Sequence, residues 1–243
     1  MKNLLIIFMF LLFNAVHSQF SKGKITYKAT LEDHGSVEDS ELTGFPKAII
    51  PDKPSSSPII FHLFFKDNSA LYQAEYDLET KRKLGFKYNK TGVVAEHNRI
   101  YYNNLETKEN YYQSFWTKDV LVNVENHKWN ITKETKKIGD YICYKATTTV
   151  QADQLKTYNY LKPVIAWFTP EIPISFGIQS FDGLPGLTME LITEQENGKI
   201  TYTVTSIELN PREEIKIIKP VGVNFMSETE YKEYFDKLNA NRF

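Results

Sequence analysis

Residues 187–209 read LTMELITEQENGKITYTVTSIEL, and this stretch decides the fold class. Two runs with apolar residues at alternate positions, 187–194 and 199–209, flank Glu196-Asn197-Gly198. Asn-Gly between alternating runs is the strongest short-range hairpin signal, because both residues tolerate the positive φ of a tight turn. The same period of two recurs upstream. Ile25, Tyr27, Ala29 and Leu31 alternate, as in a half-buried strand. Residues 59–65 form a run of Ile, Phe and Leu around His62 that predicts a strand buried on both faces. Asp67-Asn68-Ser69 is turn chemistry, and Ala70, Tyr72, Ala74 and Tyr76 alternate beyond it, which makes a hairpin.

Further strands follow by the same reasoning. A polar stretch with Asn89-Lys90-Thr91-Gly92 leads to residues 99–103 and 110–116, whose paired tyrosines predict a second antiparallel pair. Residues 119–125 and 129–135 read as short strands. Ile138-Gly139-Asp140 turns the chain into residues 141–150, a further hairpin. The one clear helix signal is at the C-terminus. Ser227-Glu228-Thr229-Glu230 is a capping box, and Met226 with Tyr231 forms a hydrophobic staple. Tyr231, Tyr234, Phe235 and Leu238 then fall on one face. Glu228 and Glu230 near its start and Lys237 near its end complement the helix dipole. The expected architecture is mainly β: a curved antiparallel sheet or incomplete barrel with a C-terminal helix. A sandwich is the alternative.

The first residues carry the composition of a secretory leader. Lys2 precedes an apolar run over 4–13, and Val16-His17-Ser18 offers a cleavage site before Gln19. That run is shorter than the roughly 20 residues a bilayer span needs, and no second such run follows. The expected organisation is a signal peptide at 1–18 and one β-rich domain over 19–243. Within the domain, residues 44–58 hold Pro46, Pro51, Pro54, Pro58 and three serines, so they read as a loop or flap that cannot join a sheet. A net charge of −1 argues against a nucleic-acid partner, and the leader predicts a periplasmic or secreted protein without transmembrane insertion. The lone Cys143 cannot form an intrachain disulfide and reads as a buried, inert thiol.

The chain lacks the usual catalytic signatures. There is no H-E-x-x-H, C-x-x-C, Walker loop or G-x-S-x-G, and His34, His62, His97 and His127 lack metal-ligand spacing. His62 reads as a satisfied core or edge histidine. No catalytic residue, metal ligand or cofactor is therefore assigned. Two local features stand out. In Trp167-Phe168-Thr169-Pro170-Glu171-Ile172-Pro173-Ile174, two prolines hold their neighbours extended, so a stiff strap should leave a strand with Glu171 pinned in it. Glu171 either accepts backbone N–H bonds or faces a ligand. In Gly183-Leu184-Pro185-Gly186-Leu187, Pro then Gly at the central positions predicts a type II turn with positive φ at Gly186. The flanking leucines point to a plug tucked against the core, with a backbone-lined binding rim as the other reading.

These features carry a resemblance. Trp129-Asn130-Ile131, residues 134–141, Cys143, Lys145-Ala146-Thr147, residues 166–173 and Gly183-Leu184-Pro185-Gly186-Leu187 together resemble the GLPGLI family of exported bacterial proteins. Thr188 stands where the family motif has Ile. The resemblance implies an envelope protein of a Gram-negative bacterium with no established activity. It is similar in outline to the bowl-like domain of some bacterial peptide N-glycanases and to lipoprotein-carrier half-barrels. It supplies no catalytic residues, only motif candidates for ligand contact: Trp167, Glu171, Gly183, Leu184, Pro185, Gly186 and Leu187.

The leading functional expectation is a binding or accessory module of the cell envelope rather than an enzyme. Its aromatic concavity would take a lipid or other apolar small molecule, a peptide or an envelope protein, with residues 44–58 as a flap. A hydrolase of envelope glycans or peptides and a purely structural protein are the alternatives. Clustered carboxylates or histidines in a deep concavity favour the hydrolase; a filled core favours the structural reading.

Overall fold

The computed structural model describes residues 20–33, 56–75, 89–151, 161–195 and 198–240. The expected signal peptide at 1–18, most of the expected loop at 44–58, Tyr76 and Glu196-Asn197 lie outside the described residues. The strands are β1 Lys22–Asp33, β2 Ile59–Lys66, β3 Ser69–Ala74, β4 Arg99–Asn104, β5 Glu109–Ser114 and β6 Val120–Asn123. They continue as β7 Asn130–Ile138, β8 Tyr141–Gln151, β9 Leu161–Thr169, β10 Leu187–Gln195, β11 Gly198–Leu209 and β12 Asn224–Met226. Two helices, α1 Lys90–Val94 and α2 Glu228–Ala240, complete the described elements.

All twelve strands belong to one open sheet in the order β12-β6-β5-β4-β3-β2-β1-β11-β10-β9-β8-β7. The sheet does not close, because β12 and β7 remain at its two ends. Every pairing is antiparallel except β12 with β6, which is parallel. The hairpins read from the sequence are present. Lys66 pairs with Ser69 across Asp67-Asn68, Ile138 with Tyr141 across Gly139-Asp140, and Gln195 with Gly198. The paired tyrosines meet as predicted, Tyr101 opposite Tyr112 and Tyr102 opposite Tyr111.

Alternation then assigns the faces. Ile25, Tyr27 and Ala29 of β1 point inward and are fully buried; Phe61, Leu63 and Phe65 of β2 and Tyr72 of β3 follow. Each such aliphatic side chain contributes about 1.5–3 kcal/mol by leaving water. β2 is less two-sided than its apolar run predicts, since Ile60 and Phe64 on the other face are only half-buried. The outer face is sealed only locally. Leu71, Tyr102, Tyr111 and Leu121 form a second cluster there under Ile217. Residues 211–223 cross it, held by Gln113 Nε2 donating to the Val221 carbonyl at 2.7 Å.

The C-terminal helix starts as its capping box dictates. Ser227 Oγ accepts from the Glu230 N–H at 3.3 Å, and Glu230 accepts from the Ser227 N–H at 2.8 Å. Tyr231 is its one buried residue with a described side chain, set edge-on to Tyr112 with ring centroids 5.8 Å apart. Two elements went unread in the sequence. The short helix α1 is capped by Asn89, whose side chain accepts from the Gly92 N–H. The strand β12 has only three residues and pairs in parallel, so neither periodicity nor a turn announces it.

Candidate functional site

Residues 170–186 join β9 to β10, and they form the strap that the prolines foretold. The strap doubles back on itself. The Leu187 N–H donates to the Ile172 carbonyl and the Gly183 N–H to the Ser175 carbonyl, both at 2.8 Å. Its tip turns at Ile178, where the Phe181 N–H returns to the Ile178 carbonyl and Gln179 takes φ +56°. Ile172, Ile174, Phe176, Ile178, Phe181 and Leu184 are all buried with the inner face of the sheet. The concavity is thus filled by the chain itself over this part of the sheet.

A carboxylate ties the strap shut. Asp182 accepts from the Gly177 N–H at 2.7 Å and from Asn103 Nδ2 of β4 at 2.8 Å, while its carbonyl accepts from Trp129 Nε1 at 2.8 Å. Burial raises its pKa from the usual 3.8 to about 6, against the two donors that favour the charged form. Gln179 Nε2 donates to the Ala95 carbonyl and to the Tyr202 hydroxyl, fastening the tip to the end of α1 and to β11. No sequence motif marks Asp182, Asn103 or Gln179.

The type II turn expected at 184–187 is not formed. Positive φ falls on Gly183, at +90°, and Gly186 is not among the positive-φ residues. Gly186 is required for a different reason: a Cβ there would sit 2.1 Å from the Thr169 carbonyl oxygen. Gly177 is tighter still, 1.9 Å from the Phe181 oxygen. Close approach of backbone to backbone, rather than turn geometry, sets these two positions.

The motif candidates do not line one opening. Leu184 and Leu187 are buried anchors, whereas Gly183 and Pro185 are exposed. Trp167 lies on the outer face, opposite Lys145 and Glu190 in the two neighbouring strands. Lys136 Nζ rests over its ring at 4.5 Å and pairs with Glu190 at 2.6 Å. Glu171 takes its structural role, accepting from the Ile142 N–H at 3.3 Å. Cys143 is fully buried, and burial pushes its thiol pKa up, away from the reactive thiolate. His62 is nearly buried between Thr26 Oγ1 at 3.2 Å and Glu75 at 3.5 Å, and burial first, then Lys24, lowers its pKa. Among the described residues no three His, Cys, Asp or Glu side chains gather as a metal site.

The other part of the inner face is a floor of rings. Tyr202, Phe61, Tyr72, Tyr101, Tyr112 and Tyr231 follow one another with centroids 5.2–6.2 Å apart, from β11 across the sheet to α2. Most hydroxyls there are engaged: Tyr27 donates to the Thr188 carbonyl at 3.0 Å, Tyr101 to Glu96 at 2.5 Å, and Tyr202 accepts from Gln179. The Tyr72 hydroxyl is buried and has no hydrogen-bond partner among the described residues. Burial, then the neighbouring Tyr202, Tyr27 and Tyr101, drives its pKa far up, so it is a neutral donor without an acceptor. At the rim, Arg99 stacks over Tyr112 at 4.0 Å and pairs with Glu96 at 2.8 Å and with Glu228 of α2 at 3.4 Å. Burial opposes the guanidinium charge, and Glu96 foremost outweighs it. Glu96 itself holds φ +54°. The sequence offered no sign of this cluster, whose members come from three elements.

No curated protein matches the chain. Similar solved structures include PNGF-II, at 18% identity and a TM-score of 0.49, covering 89% of this chain and 33% of that one. The chain thus spans a third of that protein's length. They also include the lipoprotein LppX of Mycobacterium tuberculosis, at 11% identity and 0.31, covering 82% and 91%. A LolA superfamily protein from Nitrosomonas europaea is similar at 9% identity and 0.32, covering 80% and 89%. The family model described as a protein of unknown function (Porph_ging) matches residues 129–164 and 159–190, the span that holds β7 to β9, the strap and the start of β10.

Proposed function

We propose that this protein is an exported accessory module of the cell envelope that binds an amphipathic small molecule beneath α2. The single observation behind this reading is the Tyr72 hydroxyl, buried in a floor of aromatic rings and without a hydrogen-bond partner among the described residues. A buried hydroxyl without an acceptor costs about 1–3 kcal/mol, and a ligand with an apolar body and one acceptor group relieves it. The cover over the floor is slight. Among its described side chains, α2 buries only Tyr231; Tyr234 and Phe235 pack partly buried against the core, and Arg99 pairs with Glu228 at the rim. The filled concavity under the strap supports a second reading, a purely structural module.

Native mass spectrometry of the purified protein, followed by titration with a fluorescent fatty acid, separates the two. Binding predicts a retained apolar molecule or saturable uptake, changed several-fold by Tyr231→Ala. A ligand-free protein with no saturable uptake leaves the rings as ordinary core and the structural reading standing.

A further inference from the structure

The two edges of the sheet are built differently. β7 carries Lys133, Glu134, Lys136 and Lys137, the charged dress that keeps an edge from pairing with another chain. The opposite edge has none of this. Residues 220–227, Pro-Val-Gly-Val-Asn-Phe-Met-Ser, are uncharged, and β12 within them pairs only with β6 among the described residues. Their side chains stand in solvent: Val221 and Val223 are each 81% exposed and Phe225 62%, with Ile218 at 74% just before them. Such a ridge is an exception among exposed surfaces, since β-branched and aromatic residues on an open edge invite strand addition.

We propose that the β12 edge is a homodimer surface, on which two copies pair β12 with β12 antiparallel across a twofold axis. The charge pattern chooses the occupant. Joining β12 to the β7 edge of another copy would set the lysines of β7 against Val221, Val223 and Phe225, and joining β7 to β7 would oppose like charges. β7 also exposes Ile131, but every pairing that uses β7 brings its lysines into the contact; β12 with β12 opposes uncharged residues only, and a twofold contact closes after two copies instead of running on into a filament. Main-chain pairing supplies direction, and Val221, Val223 and Phe225 of each copy cover those of the other. With so few residues a side, the contact is smaller than a permanent interface, so the dimer is reversible and depends on concentration.

Sedimentation velocity of the purified protein over micromolar concentrations tests this. The expected result is a shift from monomer to twice the monomer mass, with no larger species. Val223→Lys and Phe225→Lys should move the midpoint to at least about tenfold higher concentration, and Lys137→Ala on the other edge should leave it unmoved. Val223 is exposed, so a melting temperature matching wild type should accompany the loss at that position, whereas Phe225→Lys also gives up an edge-on contact with Tyr111 at 6.3 Å and serves as the second variant. A monomer at every concentration overturns the proposal. So does a dimer indifferent to the two lysine substitutions, an open-ended polymer, or a monomer that instead uses this ridge to bind phosphatidylglycerol or phosphatidylcholine vesicles.

Discussion

The two parts of the inner face are closed by different means. Under β8 to β10 the strap is locked by backbone: Gly177 and Gly186 let main chain touch main chain, and Asp182 gathers donors from the strap and β4. Under β3 to β5 the closure is side chain on side chain, with rings at ordinary stacking distances, Tyr231 of α2 set edge-on to Tyr112, and the Tyr72 and Tyr112 hydroxyls without a hydrogen-bond partner among the described residues. The first arrangement tolerates almost no change of residue; the second accepts any ring or aliphatic group of the right volume. The family model matches the first part and not the second. Within the matched span, the Gly183–Leu187 motif packs: Leu184 and Leu187 are buried, and Gly186 lies against the Thr169 carbonyl.

Substitutions break or sharpen this contrast. The largest effect is expected at the contact glycines. Gly177→Ala and Gly186→Ala should each cost about 3 kcal/mol or more in urea unfolding, because a backbone oxygen must move. Gly183→Ala, with open space around it but φ +90°, should cost only about 1–2 kcal/mol. Equal losses at Gly183 and Gly186 would return the argument to turn geometry.

Next comes the pH dependence of the lock. The folded pKa of Asp182, about 6, lies above its usual 3.8. Its contribution is therefore fully present below pH 3.8 and is lost as pH rises through 6, an effect on the order of 2–3 kcal/mol. The stability of wild type relative to Asp182→Asn should fall across that window and level off above it. A difference that stays flat, or rises, means the Gly177 and Asn103 donors outweigh burial.

The smallest effect, and the one of opposite sign, is expected in the ring floor. Tyr72→Phe removes an unpaired hydroxyl and should leave the unliganded protein unchanged or up to about 1 kcal/mol more stable. Tyr202→Phe removes the acceptor of Gln179 and should lose about 1 kcal/mol. A loss at Tyr72 matching that at Tyr202 would show a partner for its hydroxyl.

What the sequence disclosed follows from range. Alternation in β1 and β3, the turns at Asp67-Asn68 and Gly139-Asp140, and the box at Ser227 and Glu230 are set by neighbours a few residues apart, and each reads directly. The prolines around Glu171 announced a strap because Pro restricts its own neighbour. They did not say where the strap lies, since its burial depends on strands up to 150 residues away. Gly186 was recognised as special but for the wrong reason, because a Pro-Gly pair looks the same whether φ or a distant carbonyl demands the glycine. Arg99, Glu96 and Glu228 meet only in the folded sheet, and nothing local distinguishes them from surface charges.

The seam between β1 and β11 has a consequence in time. Gly23 lies opposite Leu209 and Asp33 opposite Gly198, in the middle of the sheet and not at its end. A chain emerging from its N-terminus builds β1 to β6 as one block and β7 to β10 as another, and neither can be joined to the other until β11 arrives. During that interval β1 and β10 both present bare, apolar strand edges. Contacts separated by so much chain form slowly, so the wait is long on the scale of helix or hairpin formation. The most dangerous moment for this molecule is thus late in its synthesis, when ten of the twelve described strands are made and the one that joins the two blocks is not.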